Sequence, residues 1–188
     1  MTERQAGGRR FTLRIGAGTG AAVAALCGAL LAAHPAGAAT PQPTRIAVFD
    51  FELDDYSAGA AFAGSPSDVA HLARVTDEVR QLLARSGRYS LVDVAAAEAE
   101  PAKAGTLRQC DGCDADIARQ LGADQSLVGV VRRITRTEYV VRFQIRDAAT
   151  GAVVAAANSG LNMGADYSWN RGAVRLVRNR VLESPGLQ

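Results

Sequence analysis

The chain reads as an α/β (α+β) domain behind an export segment: a mixed sheet with helices packed on it, in the order β-α-β-α-β-β-β-α. Three observations predict this class. Arg45 to Phe51 is apolar on nearly both faces, as expected of a strand covered by helices. Ser65 to Gly87 carries apolar residues at helical spacing between a start and a stop signal. Gln125 to Met163 holds three strand-like runs joined by short turns, which implies an antiparallel meander near the C-terminus.

The elements follow in order. After the first strand, a loop is expected from Leu53 to Gly64. Ser65 can cap the next helix, Pro66 suits its first position and Asp68 stands at capping-box distance. Val69, Leu72, Val75, Val79, Leu82 and Leu83 then recur on one face, and Gly87 ends the helix. Tyr89 to Val92 is a short strand. Ala95 to Glu100 is helical in composition until Pro101, and Ala102 to Gly105 is a linker. Asp114 is placed to cap a brief helix that Gly122 ends. Strands are expected over Gln125 to Ile134, Glu138 to Asp147 and Ala152 to Met163. The middle one alternates, with Tyr139, Val141, Phe143 and Ile145 on the buried face. Ala148 to Gly151 is a hairpin turn. A last helix starts at Asp166 and turns Trp169, Ala173, Leu176, Val177 and Val181 inward. The early strands, linked by helices, should be parallel neighbours.

The first 38 residues carry the marks of an export signal. Arg4, Arg9, Arg10 and Arg14 precede an uncharged stretch from Ile15 to Ala33, and Ala36-Gly37-Ala38 offers a small-residue cleavage site. Gly16, Gly18, Gly20 and Gly28 dilute the apolar run, which argues against a retained anchor. Arg9-Arg10-Phe11-Thr12-Leu13 resembles a twin-arginine signal, with the general secretory route as the alternative. Leu26 before Cys27 is too large for a lipoprotein cleavage site. Residues 39–188 are then one periplasmic domain without a stable membrane anchor. The signal holds four of the 21 basic residues and one of the 19 acidic ones, leaving 17 against 18. A near-neutral mature chain gives no electrostatic case for nucleic acid.

Four features invite a chemical reading. Cys110-Asp111-Gly112-Cys113 supplies the only cysteines after the signal. In an oxidising compartment they read as a structural disulfide, a redox-active pair at a helix start, or one half of a metal site. Asp111, Asp114 and Asp116 would disfavour a thiolate. A c-type haem would need His where Asp114 stands, and His71 is the only histidine of the mature chain. Asp50, Glu52, Asp54 and Asp55 follow the first strand at the sheet edge where open α/β folds bind ligands. They suit a hard cation, or pairing with arginines. Arg132, Arg133, Arg136, Arg142 and Arg146 lie on the meander. Arg171, Arg175 and Arg178 form a stripe on the last helix, which reads as a docking face for an acidic partner or a solvated face. Trp169 reads as a core anchor. No nucleophile–base pair, metal site or cofactor motif emerges, so a non-catalytic accessory or interaction domain is expected. The alternative is a thiol–disulfide redox protein.

The Arg45-to-Phe51 strand, the capped helix, Ser86-Gly87-Arg88-Tyr89, and Ile117 to Asp124 leading into Leu127 to Val131 resemble the amino-terminal domain of TolB and the related curli-secretion (CsgG-like) periplasmic domains. The Cys110/Cys113 pair, Ser168-Trp169 and Leu176 to Arg180 are similar to a proteobacterial family of secreted proteins known only as a domain of unknown function. The resemblance spans residues 44–183. It implies the fold, a periplasmic or envelope protein as partner, and a setting beside periplasmic quinoprotein dehydrogenases.

Overall fold

The computed structural model describes residues 42–57, 64–98 and 106–183. The export segment, Cys27, the end of the expected Ala95-to-Glu100 helix, and the Ala102-to-Gly105 linker with Lys103 lie outside them. All described residues belong to one unit, Thr40–Gln188. Strand β1 (Thr44–Val48) is central, flanked in parallel by β3 (Tyr89–Val92) and β4 (Gln125–Thr135). From β4 the sheet continues antiparallel through β5 (Glu138–Asp147) to β6 (Val153–Asn158), giving the order β3-β1-β4-β5-β6. Two short strands lie off this path: β2 (Glu52–Asp55) pairs in parallel with β4, and β7 (Asn162–Met163) pairs with the start of β5. The result is a seven-stranded mixed sheet, with the meander where the sequence places it.

Helix α1 spans Pro66–Arg85, α2 Ala95–Glu98, α3 Cys113–Gln120 and α4 Trp169–Val177. Ser65 caps α1 by accepting the Asp68 N–H at 3.2 Å, and Gly87 follows it at φ 69°. Val75, Val79 and Leu83 are fully buried, whereas Val69 is 58% exposed. Val69, on the first turn, is thus not part of the buried face on which its spacing placed it. Helices α1 and α4 cover one face of the sheet. There Ile46, Val48, Leu127, Val141, Phe143 and Ile145 pack against Val75, Val79, Trp169, Ala173 and Val177. On the other face α3 packs Ile117 and Ala118 against Ala47, Phe49 and Val128. It begins one residue before the expected cap: Gly112, at φ 99°, precedes it, and Asp114 lies within its first turn.

β1 and β2 run on along the same side of β4, with a bulge-like break over residues 49–51 between them. Between the pairs Val48↔Leu127 and Glu52↔Val130 this run advances four residues and β4 three. The extra residue inverts the side-chain faces, so Phe49 belongs to the α3 side and Phe51 to the α1 side. Groups freed by the bulge find partners on α1. The Phe51 N–H donates to Thr76 Oγ1 at 2.9 Å, and Arg80 donates to the Val48 carbonyl at 2.6 and 3.0 Å. Gly129 on β4 lies under the Phe51 ring, where a Cβ would collide with it. Residues 53–55, expected as loop, are therefore strand.

The expected strand over Ala152 to Met163 is two. Gly160 at φ 66° separates β6 from β7. Ser159 Oγ accepts from both the Val141 N–H and the Asn162 amide, which fixes the break. The last helix opens with a 3-10 turn over Asp166–Ser168, and its α-helical part begins at Trp169. It continues as a wider turn over Arg178–Leu182, whose carbonyls at Val181 and Leu182 accept from Arg88. Trp169, Ala173, Leu176, Val177 and Val181 are all buried.

Candidate functional site

The four carboxylates after the first strand each meet an arginine. Asp50 lies 3.2 Å from Arg80, Glu52 2.9 Å from Arg108, Asp54 2.8 Å from Arg132 and Asp55 2.6 Å from Arg133. Along β2 the strand alternation puts Glu52 and Asp54 on one face and Asp55 on the other, and each carboxylate is drawn to its own arginine. Among the described residues no three His, Cys, Asp or Glu side chains stand in an arrangement that holds a metal ion. Glu52 also accepts the Leu107 N–H at 2.5 Å, which fastens the segment before the cysteines to β2.

Arg133 is a hub that sequence reading placed only among the meander arginines. Its guanidinium reaches Asp55, Asp68 at 2.9 Å and Asp166 at 3.0 Å, and lies 5.6 Å from the Trp169 ring centre. These side chains come from β2, β4, the start of α1 and the turn before α4. Hydrogen bonds donated to the carboxylates, to Asp55 foremost, hold the Arg133 guanidinium charged well beyond its usual range. Burial pushes the Asp55 carboxyl up, but hydrogen bonds from Arg133 and Ser57 more than offset it and keep the group below the ordinary carboxylate range. Both terminal nitrogens of Arg133 are engaged, whereas its buried Nε has no hydrogen-bond partner among the described residues.

Cys110 and Cys113 form a disulfide. Cys113 opens α3, and its N–H donates to Cys110 Sγ at 3.2 Å. Arg146 of β5 holds the motif in place. It donates to Asp111 at 2.6 Å and to the Gly151 carbonyl at 2.8 Å, and lies 3.6 Å from Asp114. Asp114 is buried and accepts from Ser126 Oγ at 2.5 Å. All three aspartates expected to repel a thiolate are thus turned to an arginine, Asp111 and Asp114 to Arg146 and Asp116 to Arg119 at 3.1 Å. Beside this loop a cleft of about 250 Å³ opens onto β5, with Arg108, Arg142 and Arg146 on its walls and Val128 and Val130 on its floor.

On α4 the helical period that buries Trp169, Ala173, Leu176 and Val177 leaves Arg171, Arg175 and Arg178 exposed on one flank. Arg175 donates to Asn162 Oδ1 at 2.8 Å. No salt bridge among the described residues engages Arg171 or Arg178. His71 stands edge-on to Trp169, with ring centres 6.2 Å apart.

Residues 44–181 match the family DUF3280, described as "Protein of unknown function (DUF2380)". The chain belongs to DUF3280. The family thus covers the whole sheet and α4, including the cysteine loop and the arginine flank. No curated relative matches the chain. Solved structures similar to this DUF3280 chain include the LpoB C-terminal domain from Salmonella enterica, at 17% identity and TM-score 0.46, covering 67% of this chain and 87% of that one. The PelC dodecamer from Paraburkholderia phytofirmans is similar at 18% identity and TM-score 0.43, covering 75% and 86%. TolB from Acinetobacter baumannii is similar at 16% identity and TM-score 0.44, covering 78% of this chain and 30% of that one. No helix among the described residues is long and apolar enough to cross a membrane.

Proposed function

We propose that this DUF3280 chain is a non-catalytic interaction domain of the periplasm that docks an acidic face of another envelope protein through α4. The observation that carries the reading is the exposed α4 flank. Of the arginines on the sheet, Arg132, Arg133 and Arg146 are each paired with a carboxylate of the chain itself. Arg171 and Arg178 engage none among the described residues and point the same way. A guanidinium offers bidentate donors matched to carboxylates, so two in register favour an acidic partner. Export rests on the signal read in residues 1–38. No described residue points to a quinoprotein dehydrogenase as the partner. The test is Arg171→Gln/Arg178→Gln, which spares the Arg175 bond to Asn162. Both sites are exposed, so the fold should change by no more than about 0.5 kcal/mol per site. Wild type should recover an acidic protein from periplasmic extract at low salt and less at moderate salt, and the double variant should lose most of that recovery. Equal recovery by both proteins at both salt levels sinks the reading.

One contact favours a thiol–disulfide redox protein as the second reading. A backbone N–H aimed at Cys110 Sγ, at a helix start, would stabilise a thiolate there. Titration of the pair in glutathione buffers decides between them. A structural bridge has a potential below about −300 mV, and a redox-active one lies well above it.

A further inference from the structure

We infer that the outer edge of β6 takes an acidic, extended segment of the partner protein as an additional strand. The inference rests on the docking reading above and gives it a mode. β6 ends the sheet, and no strand among the described residues pairs with its far side. Edge strands are ordinarily blunted by charge or proline. Val153-Val154-Ala155-Ala156-Ala157-Asn158 carries neither, and Val153 and Val154 are 49% and 38% exposed. The ladder fixes which groups are free. The Ser159 N–H donates to the Val141 carbonyl, so Ala157 and Ala155 face β5, and Ala156 and Asn158 turn their N–H and C=O groups outward. The irregularity in the β5–β6 register lies at the other end, near Val154. Small side chains along the strand leave a neighbouring backbone room to approach.

Charge selects the occupant. Arg175 and Arg180 of the last helix line a hollow of about 150 Å³ together with Asn158 and Ser159, on one side of the edge. Arg142, paired across the ladder with Asn158, stands on β5 on the opposite side. Asp147, at the far end of β5, is occupied by Thr150 within its own turn. Guanidinium groups therefore stand on both faces of the sheet beside this end of the edge. A second copy would bring its own arginines against these, whereas a strand with alternating carboxylates would pair with them while its backbone completes the ladder.

The probe is a strand-length alternating Glu-Val peptide, added to the folded protein and followed by amide hydrogen exchange. Protection should rise at Ala156 and Asn158, and Ala156→Pro should weaken binding about tenfold or more. That substitution removes an outward N–H and spares the β5 ladder. Ala156→Val keeps the N–H and should bind like wild type. If Ala156→Pro fails to fold, the protection pattern in wild type still decides. A proline-interrupted peptide of equal charge separates the two readings. If it binds as well and protects neither amide, strand addition is overturned while the arginine docking reading stands. If neither peptide binds and Arg171→Gln/Arg178→Gln leaves partner recovery unchanged, both readings fall. Protection present without peptide, independent of or rising with protein concentration, would put the chain's own segment or a second copy on the edge and overturn the inference.

Discussion

At Gly129 the absence of a side chain is what lets the first strand bulge. The Phe51 ring is 3% exposed and lies where a Gly129 Cβ would be. Its backbone is held by Thr76 Oγ1, so the ring cannot simply retreat with the chain. Gly129→Ala should therefore act as overpacking and cost about 1–3 kcal/mol in urea denaturation. A smaller ring partner relieves the collision, so Phe51→Leu combined with Gly129→Ala should cost less than the two single changes added together. Additive costs in that cycle would show that the two residues do not press on each other. Arg133 shows the same dependence on a neighbour of opposite kind. Three carboxylates surround it, and the two buried ones, Asp55 and Asp68, are acceptable at that depth because the one guanidinium is there.

Elements whose causes are local were legible in the sequence, and those whose causes are distant were not. Ser65, Pro66, Asp68 and Gly87 specify α1 within its own span, and its bounds follow from them. The alternation of β5 and the inward face of α4 are likewise written in consecutive residues. β2 is different. Glu52-Leu53-Asp54-Asp55 has the composition of a loop, and becomes a strand because Arg132 and Arg133 of β4 lie beside it and neutralise two of its carboxylates. The β6–β7 break depends on Ser159 meeting Val141, 18 residues away. For the candidate site the division is similar. The α4 stripe was visible because a 3.6-residue period exposes it. The Arg133 hub was not, because its partners stand 78, 65 and 33 residues away. Its one available signal was an arginine on the apolar-facing side of β4, next to Arg132, since a charge placed there needs buried counter-charges.

Across the whole molecule these ties set how folding responds to acid. Asp55 joins β2 to β4 and, through Arg133, to both long helices. Asp124 joins the starts of β4 and β1 by accepting from the Arg45 backbone at 3.0 Å and its guanidinium at 2.8 Å. Burial opposes the shift at Asp55, but the hydrogen bonds win, and those from Arg45 lower Asp124, so both carboxyls titrate below the ordinary value of 3.8. A group depressed in the folded state binds its proton in the unfolded chain first, so stability rises with pH through that window. The contribution is complete above about pH 4 and is lost as pH falls through the folded-state values. At the opposite end, burial raises the Tyr89 hydroxyl above its ordinary 10.0. Its contribution is present below pH 10 and fades as the pH rises past the shifted value. Unfolding free energy should thus be level near neutrality and drop below about pH 4. Asp124 is half exposed and solvent-screened, so most of the acid limb should come from Asp55, whose side chain is 2% exposed. Asp55→Asn should cost about 1–3 kcal/mol at neutral pH, the range for breaking a buried charged hydrogen bond. Its loss of stability between neutrality and pH 3 should be smaller than that of wild type. Urea denaturation of the two proteins across that range measures both quantities, and parallel acid limbs would mean that Asp55 is not the carboxylate that acid disarms.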